Sequence, residues 1–228
     1  MREIDDRLRT AAEFVRKGVT AADIGTDHAY LPAYLIMNDI ASRVIACDLR
    51  SGPLENAKAT VRDLNLSGRI EIRQSDGLNN ISPDEADDII ICGMGGNLIT
   101  DILSRAVWLK DIKYRLILQP QSHAYDLREF LFINGFNIIN ETGVRSEGRV
   151  YTVIAAEYKP DFGCSYDDID IYFGKLKYET DDISKEICRR TLGYIKVRYN
   201  SELEFGSEEL AEEFRLLILK AEEIMNES

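Results

Sequence analysis

The chain has 228 residues, of which 45% are hydrophobic and 30% are charged, so it can form a core and is not disordered throughout. It carries 28 Lys and Arg against 40 Asp and Glu, a formal net charge of -12, which excludes a protein that coats nucleic acid by charge alone. No apolar run could cross a bilayer and the charged first residues lack an apolar signal region, so we expect no membrane partner and a cytoplasmic location.

Cysteine and histidine are too sparse for a disulfide scaffold or for a metal cluster of standard spacing. The four cysteines form no CxxC pair, and the chain has only two histidines. We therefore expect no bound metal, and we expect four reduced, mostly buried thiols. These are Cys47, Cys92, Cys164 and Cys188.

Up to residue 160, short apolar runs typical of strands alternate with helical patterns. The predicted helices cover residues 4–17, 30–38, 51–64, 98–106 and 124–134. The predicted strands cover residues 19–24, 43–47, 69–73, 88–92, 114–118, 136–144 and 149–156. Strands that alternate with helices predict a parallel sheet covered on both faces, whereas the last two strands, joined by a turn, must be antiparallel. The sequence thus predicts an α/β fold with a Rossmann-like, mostly parallel sheet that ends in an antiparallel hairpin.

The chain beyond residue 160 is charged, helical and free of proline, so we predict two domains, at residues 1–160 and 161–228. Leucine or isoleucine recurs every seven residues, at Leu203, Leu210, Leu217 and Ile224, with Phe214 and Ala221 four positions after two of them. An earlier helical stretch carries Ile183, Ile187, Leu192, Ile195 and Tyr199. Gly206 marks a break, and Ser207 can cap the helix after it. We expect an antiparallel coiled-coil hairpin; the alternative is that these helices simply pack on the first domain.

The first two strands end in residues that could bind a ligand, because open α/β sheets bind ligands at the carboxyl ends of their strands. Gly25 permits a tight turn, but the dinucleotide fingerprint G-x-G-x-x-G is absent. Asp27 stands where the second glycine of that fingerprint would be, and it would repel a pyrophosphate. The cationic amino-acid end of S-adenosylmethionine suits this loop better. Asp48, after the second strand, could accept both ribose hydroxyls of an adenosine.

The third and fourth strands also end in acid or glycine. Asp76, followed by Gly77, could accept a hydrogen bond from the adenine amino group. The loop Gly93-Met94-Gly95-Gly96 leaves backbone exposed where a reacting base could lie close, although it could equally be a simple turn into the next helix. Four consecutive strand ends of this kind favour one shared site.

Five segments of the first 160 residues combine into a recognisable pattern. They are DIGTDHAYLPAYL at 23–35, ACDLRSGPLENA at 46–57, ICGMGGNLI at 91–99, LILQPQ at 116–121 and ETGVRSEGRVYTVI at 141–154. The chain resembles the TrmK-type bacterial tRNA (adenine-22-N1)-methyltransferases, and the helical tail fits as well. The resemblance implies a class I methyltransferase fold with a C-terminal coiled-coil extension. It implies methyl transfer from S-adenosylmethionine, which leaves S-adenosylhomocysteine, to N1 of adenine 22 in the D-arm region of tRNA.

The resemblance also assigns roles to individual residues. It places cofactor binding on Asp23, Gly25, Asp27, Asp48, Asp76, Gly77, Gly93 and Gly95. It places the reaction surface on Asp27, His28, Tyr30 and Met94, together with the backbone of Gly93 and Gly95. Our candidate RNA contacts are Arg7, Arg9, Gln119, Gln121, Arg189 and Arg190. Gln121 stands where the family's QPN has asparagine, so a base contact there would be displaced by about a methylene.

The reaction needs little machinery beyond alignment and exclusion of water, because methyl transfer from a sulfonium is an in-line displacement. Adenine N1 has an in-plane lone pair, so no deprotonation must come first, and no Cys–His or Ser–His–Asp set is needed. The target base must be unpaired or extruded, because N1 lies on its Watson–Crick edge. The product is cationic, so Asp27 is our candidate for stabilising it. Tyr30 could stack on the base, and Met94 could pack against it.

Several of these residues have structural alternatives. Asp27 could cap the next helix, His28 could be a hydrogen-bonded structural residue, and Tyr30 could be a core aromatic. Asp48 could be a plain surface acid. His123 is expected to start a helix rather than to catalyse.

Other functions also stay open. They are a methyltransferase acting on another RNA, a protein or a small molecule, a nicotinamide-dependent oxidoreductase, and a non-catalytic RNA-binding module that kept the fold. The missing glycine fingerprint argues against the oxidoreductase. The cofactor-type acids at the strand ends argue against the non-catalytic module.

An RNA partner requires basic surface on an acidic chain. The acidic excess is uneven, since residues 161–228 hold nine Lys and Arg against 17 Asp and Glu. Two basic clusters remain: Arg2, Arg7, Arg9, Arg16 and Lys17, and then Arg189, Arg190, Lys196 and Arg198, which interleave with Tyr194 and Tyr199. We expect both clusters to face the backbone of tRNA, the alternative being two solvated helix faces. A monomer or weak dimer is expected.

Overall fold

A computed structural model describes residues 4–159 and 166–227, the side chain of residue 227 excepted. The strands are β1 (Thr20–Ile24), β2 (Arg43–Asp48), β3 (Ile70–Gln74), β4 (Asp88–Met94), β5 (Arg115–Pro120), β6 (Phe136–Ser146) and β7 (Arg149–Tyr158). The helices are α1 (Asp6–Phe14), α2 (Tyr30–Met37), α3 (Ser51–Asp63), α4 (Gly96–Arg105), α5 (Ala124–Ile133), α6 (Asp168–Phe173), α7 (Asp182–Phe205) and α8 (Glu208–Glu227). Arg2, Cys164 and the predicted domain boundary after residue 160 lie outside the described residues.

The seven strands form one sheet in the order β3-β2-β1-β4-β5-β7-β6. The pairs among β1 to β5 are parallel, and β7 runs antiparallel to both of its neighbours. The predicted Rossmann-like sheet with a terminal antiparallel hairpin is therefore confirmed. Because β7 is inserted between β5 and β6, the hairpin forms the edge of the sheet opposite β3.

The sheet is the middle of three layers, as the nearly continuous apolar sequences of its strands require. Ile89 and Ile91 of β4 face the core under α4 and α5, whereas Ile90 faces the core under α1, α2 and α3. β1 and β4 are neighbours, yet their following helices α2 and α4 lie on opposite faces of the sheet. The chain therefore parts at the carboxyl ends of these two strands and leaves a crevice there.

Several element boundaries differ from the prediction. β4 continues two residues further, to Met94, and its register shifts between Cys92 and Met94. β5 likewise continues to Pro120, and α4 begins at Gly96. In a sequence, glycine and proline usually indicate that a strand has ended. Here they belong to the last residues of β4 and β5, because the two strands continue to pair with each other up to Met94 and Pro120.

The C-terminal helices α7 and α8 form the predicted hairpin, which turns at Gly206, with Ser207 accepting from the backbone N–H of Leu210. The predicted heptad seam is wrong in its first half. Leu203 belongs to α7 and is 59% exposed, and Leu210 is 43% exposed. The helix break interrupts the period, so the core holds Leu217 and Ala221 instead.

A helix that the sequence reasoning missed, α6, is packed between the hairpin and the sheet domain. Arg128 of α5 is buried and donates to the carbonyl oxygens of Ile171 and Tyr172 on α6 at 3.0 Å. Its guanidinium also donates to the buried carboxylate of Glu141 on β6, at 2.7–2.9 Å. The second oxygen of Glu141 accepts from the backbone N–H of Lys175, just after α6. This buried pair thus joins α6 to the sheet. The hairpin packs on α6, and α7 also packs on β6 and β7, so both predicted alternatives hold in part.

Residues 4–159 and 166–227 can be compared with the expectations for membrane spans, metal sites and thiols. No helix among them is long and apolar enough to cross a membrane. Within the same ranges, no group of three or more His, Cys, Asp or Glu side chains is arranged to hold a metal ion. Cys47, Cys92 and Cys188 are free thiols.

Candidate functional site

A cleft of about 640 Å³ opens at the crevice between the carboxyl ends of β1 and β4. The structure brings most of the predicted cofactor and reaction residues together there. They are Asp23, Gly25, Asp27, His28, Tyr30, Asp48, Asp76, Gly77, Gly93 and Met94, with Arg7 and Gln121 from the predicted RNA contacts. Four strand ends that were far apart in sequence therefore share one cavity.

The loop after β1 has backbone that only a residue without a side chain can supply. Gly25 has φ of +83°, and a Cβ there would lie 2.4 Å from Cε of Met94. The N–H groups of Gly25 and Thr26 both donate to the carbonyl oxygen of Cys47, at 2.8 Å. The hydroxyl of Thr26 is buried and makes no hydrogen bond of good geometry within the described residues, although it lies close enough to the carboxylate of Asp23 to offset part of the rise in its pKa. The loop is thus held against β2, with a polar atom left for a ligand.

The residues that follow are held in an uncommon backbone conformation. Asp27 and Ala29 have φ of 45° and 55°, in the left-handed region. Asp27 does not cap α2, because the N-cap residue is Ala29 and no side chain donates or accepts there. Its carboxylate is 62% exposed and lies 3.6 Å from Nε2 of His28. The imidazole of His28 stacks on Tyr30, with 5.1 Å between ring centroids and 8° between planes. This turn presents a carboxylate and a flat aromatic pair to the cleft.

Two carboxylates lie beneath that turn, Asp23 in β1 and Asp48 at the end of β2, and both are buried. Burial and the nearby charge of Asp48 raise the pKa of Asp23 from 3.8 to about 6. Oδ1 of Asp48 accepts from the backbone N–H of Arg50 at 2.8 Å. Asp48 is therefore not a plain surface acid. Burying two neighbouring carboxylates without partners costs free energy. A ligand that supplies hydroxyl or cationic groups would lower this cost, so the pair is suited to such a ligand.

The third strand end contributes Asp76 and Gly77. Oδ2 of Asp76 accepts from Nη1 of Arg105, at the end of α4, at 3.0 Å. A Cβ on Gly77, whose φ is +56°, would meet Ile102 at 3.0 Å. The close packing of Gly77 on α4 keeps Asp76 at the rim of the cleft, and Arg105 orients its carboxylate.

Gln119 of β5 is the residue that organises the fourth strand end. Its side chain is fully buried, and Oε1 accepts from the N–H of Gly93 at 3.1 Å and from Nη1 of Arg7 at 3.0 Å. Its Nε2 donates to the carbonyl oxygen of Pro120 at 2.9 Å. The amide is saturated by the protein itself, so Gln119 lies below the cleft rather than in it. Gln121, two residues on, is exposed in the cleft wall.

The last two glycines of the GMGG loop have packing roles. Gly95 is the N-cap of α4 and does not line the cleft. A Cβ on Gly96 would lie 2.2 Å from the carbonyl oxygen of His123, and the N–H of Gly96 donates to Ser122 at 2.8 Å. The loops after β4 and β5 are therefore locked together. His123 is the N-cap of α5, as predicted.

The two predicted basic clusters are divided by the structure. Arg7 lies in the cleft wall, but Arg16 lies at the opposite end of the strands, where it donates to Asp88 at 2.7 Å. Arg9 is paired with Asp6 on the outside of α1. The grouping of Arg7 with Arg16 is wrong because a nine-residue helix separates them along its axis.

The α7 cluster lies outside the cleft and is largely ion-paired. Arg190 pairs with Glu186 at 2.6 Å, Lys196 with Glu222 at 2.6 Å and Arg198 with Glu202 at 3.5 Å. Nε of Arg189 donates to the carbonyl oxygen of Lys185 at 3.2 Å.

Sequence reasoning missed several residues of the site. Thr26, Arg50 and Arg105 are contributed by loops and a helix end whose direction no local pattern reveals. Of these three, only Thr26 was indicated by the sequence, since it stands between the predicted cofactor-binding residues Gly25 and Asp27.

A seven-stranded sheet of this order, with an acid- and glycine-lined cleft at the β1/β4 crevice, defines a Rossmann-like methyltransferase. Residues 4–154 match the family described as a methyltransferase domain. The chain is 42% identical over 174 residues, 76% of its length and 73% of the relative's, to the tRNA (adenine(22)-N(1))-methyltransferase of Bacillus subtilis.

Solved structures agree with this. The crystal structure of the B. subtilis m1A22 tRNA methyltransferase TrmK is similar with a TM-score of 0.82 and 33% identity, covering 100% of this chain and 99% of that one. A structure of the Streptococcus pneumoniae protein Sp1610, a putative tRNA (m1A22) methyltransferase in complex with S-adenosyl-L-methionine, has a TM-score of 0.82 and 29% identity, with 98% and 100% coverage. The chain belongs to the TrmK family of methyltransferases.

We expect the buried carboxylate of Asp23 to lower the folding stability of the ligand-free protein. Because the pKa of Asp23 is raised in the folded state, the unfolded chain releases this proton first as pH rises, and the protein loses stability between about pH 4 and pH 6. Asp23→Asn should therefore raise the free energy of unfolding by up to about 3 kcal/mol at pH 7.5 and by about 1 kcal/mol at pH 4.5. Urea titration of the ligand-free protein at both pH values measures this.

The matched control is Asp63→Asn at the exposed end of α3, which should change stability little at either pH. An equal gain from Asp23→Asn at both pH values would show that burial of its charge is not the cause.

Proposed function

We propose that the chain is an S-adenosylmethionine-dependent tRNA methyltransferase that modifies N1 of adenine 22. The observation that carries the proposal is the cleft at the β1/β4 crevice. It combines a glycine turn, a buried hydroxyl beside Asp23 and carboxylates from three strand ends. Relatives named for this reaction match most of the chain.

The residues present fit the proposed cofactor. The turn at Gly25 and the carboxylates of Asp23, Asp27 and Asp48 line one cleft, and Met94 packs against the turn where a Cβ on Gly25 would stand. We assign the cationic amino-acid end to the Asp23–Asp27 side and the ribose hydroxyls to Asp48. Asp76, oriented by Arg105, faces the adenine end. When bound, S-adenosylmethionine supplies a methyl group on a positively charged sulfur.

The side chains around the proposed transfer point have distinct roles. Asp27 is largely exposed and lies where a cationic product would be stabilised. The stacked pair of His28 and Tyr30 offers a flat surface on which a flipped base can rest. Met94 approaches Gly25 from the other side of the cleft and can pack against the same base. No residue must remove a proton before transfer, because adenine N1 carries a free lone pair.

We assign Gln119 a positioning role rather than the RNA contact first expected. It holds the N–H of Gly93 and the guanidinium of Arg7 with one oxygen, so it fixes the GMGG loop relative to α1. Alignment is the main requirement of an in-line displacement, and a small displacement of this loop would slow it. Gln121 and Arg7 keep the direct contact role, since both line the cleft.

An RNA substrate requires local basic surface on this acidic chain, since most of the acids lie outside the cleft and the C-terminal residues 161–228 carry the larger acidic excess. Arg189 and Arg190 on α7 are the proposed backbone contacts. Arg190 is paired with Glu186, whereas Nε of Arg189 donates to a backbone carbonyl oxygen of its own helix. We take tRNA as the partner, the cytoplasm as the location and a monomer or weak dimer as the active unit.

Methyl transfer is tested directly with radiolabelled S-adenosylmethionine, unmodified tRNA transcripts and nucleoside analysis. We expect labelled 1-methyladenosine, which disappears when adenine 22 is replaced by guanine. Asp27→Ala should lower kcat at saturating cofactor by about tenfold to a hundredfold, because it removes a charge that stabilises the product-like transition state. Asp63→Asn is the control that should leave kcat unchanged.

The alternatives give different results. Labelled product without RNA would identify a small-molecule or protein acceptor. Cofactor binding without transfer to tRNA would favour another RNA. Binding of RNA with no affinity for the cofactor would leave a non-catalytic module and contradict the proposal.

The α7 contacts predict a salt-dependent loss of affinity. Arg189→Glu/Arg190→Glu should weaken tRNA binding and reduce the slope of log K against log salt by up to about two, since each lost phosphate contact removes about one. Fluorescence anisotropy of labelled tRNA over a NaCl series measures both quantities. The same charge change at Lys110 and Lys113, beyond α4, is the control. An unchanged affinity and slope in the α7 variant would remove α7 from the RNA interface.

A further inference from the structure

A second cavity of about 350 Å³ lies between the loop after β5 and the hairpin helix α7. The loop contributes Gln121, His123 and Tyr125 to one wall, and α7 contributes Arg190 and Tyr194 to the other. We call this cavity the α5–α7 groove. Neither the cofactor assignment nor the proposed catalytic residues use it.

The groove has an aromatic wall. The ring of Tyr125 stacks on Tyr172 at 5.4 Å and on Tyr194 at 5.7 Å, with planes within 24° and 21°. The hydroxyl groups of Tyr125 and Tyr194 lie 3.3 Å apart. Although Tyr125 covers one face of Tyr194, that residue keeps 38% of its surface exposed. Exposed, fixed aromatic rings beside a cavity are the usual platform for single-stranded bases.

The groove adjoins the cofactor cleft. Gln121 lines both cavities. Arg7 of the cleft wall also lies over the ring of Tyr151, a groove residue, at 5.3 Å from the centroid. A strand of RNA that places one base in the cleft therefore has a second cavity next to it.

The charges of the groove suit a phosphate at its rim rather than at its base. Arg190 is exposed at the rim, where it shares Glu186 with Arg145. At the base, Arg128 is buried against Glu141 and is not available. His123 pairs with Asp126 at 3.0 Å.

We propose that the α5–α7 groove binds the nucleotide immediately next to the methylated adenine, with its base stacked in the groove and its phosphate at Arg190. The inference rests on the proposed function. Extruding one base from a helix exposes the faces of its neighbours, and a neighbour that stacks on protein offsets that loss. The groove is therefore a specificity subsite. Only an RNA in which the base next to the target adenine is free to leave its stack can fill it.

The test combines a blocked groove with tRNAs that lack one base. Thr191→Trp places a large side chain in the groove from α7, and Leu219→Trp, at an exposed position of α8, is the matched control. Each enzyme is assayed on intact tRNA and on tRNAs with an abasic site 5′ or 3′ of the target adenine. Melting temperature and S-adenosylhomocysteine affinity report folding of each variant.

For the unaltered enzyme we expect one of the two abasic tRNAs to raise KM about tenfold, the effect of losing one stacked base. Thr191→Trp should raise KM for intact tRNA by a similar factor, and the abasic site should then cost nothing more. Leu219→Trp should behave like the unaltered enzyme. If Thr191→Trp does not fold, Tyr194→Leu provides the same comparison and should lose the same dependence.

Two results would overturn the inference. One is that the abasic penalty persists in full in the blocked enzyme, so that the effects of the abasic site and of Thr191→Trp multiply. The other is an unchanged KM when the groove is filled and cofactor affinity is intact. An unaltered enzyme that methylates no tRNA would instead contradict the proposed function itself.

Discussion

Parallel pairing of β1 with β4, followed by helices on opposite faces, is the constraint on which the site depends. Parallel strands end at one edge, and the chain must leave that edge in two directions. The crevice that results has the backbone of two loops on its sides, and side chains of those loops and of neighbouring elements line its walls. Gly25 on one side and Gly93 on the other keep it open, both at positive φ. Every assigned cofactor contact is within reach of this crevice because each lies at a strand end.

The site is built at a cost to the fold, and its carboxylates illustrate this. Asp23 is buried with a raised pKa beside a second buried acid, an arrangement that a stability-optimised core would avoid. Burying the amide of Gln119 costs little free energy by contrast, because both its oxygen and its nitrogen make hydrogen bonds within the protein. In our proposal Asp23 awaits a ligand, whereas Gln119 holds the Gly93 loop against α1.

The sheet and most of the cleft were predictable because strand ends are local in sequence. Apolar runs set the strands, and the residue after each run, such as Asp48 or Asp76, was in the right place. The seam of the hairpin was not predictable from spacing alone, because Leu203 and Leu210 keep the period across a helix break that changes their direction. Gln119 was identified as important, but its burial depends on α1, over a hundred residues away.

The same limit explains the α5–α7 groove. Tyr125, Tyr172 and Tyr194 are far apart in sequence and meet only because Arg128 and Glu141 fasten α6 to the sheet. A tyrosine in each of three helices has no periodicity to reveal it. Long-range contacts of this kind join the hairpin to the sheet domain, so the substrate surface that we propose spans both.

The most direct test of the central claim is a crystal structure of this protein with S-adenosylhomocysteine. The account predicts the ligand in the β1/β4 crevice, with its ribose hydroxyls on Asp48, its amino-acid end on the Gly25–Asp27 turn and its adenine near Asp76. A ligand seated elsewhere, or one in the crevice whose ribose does not contact Asp48, would contradict the account.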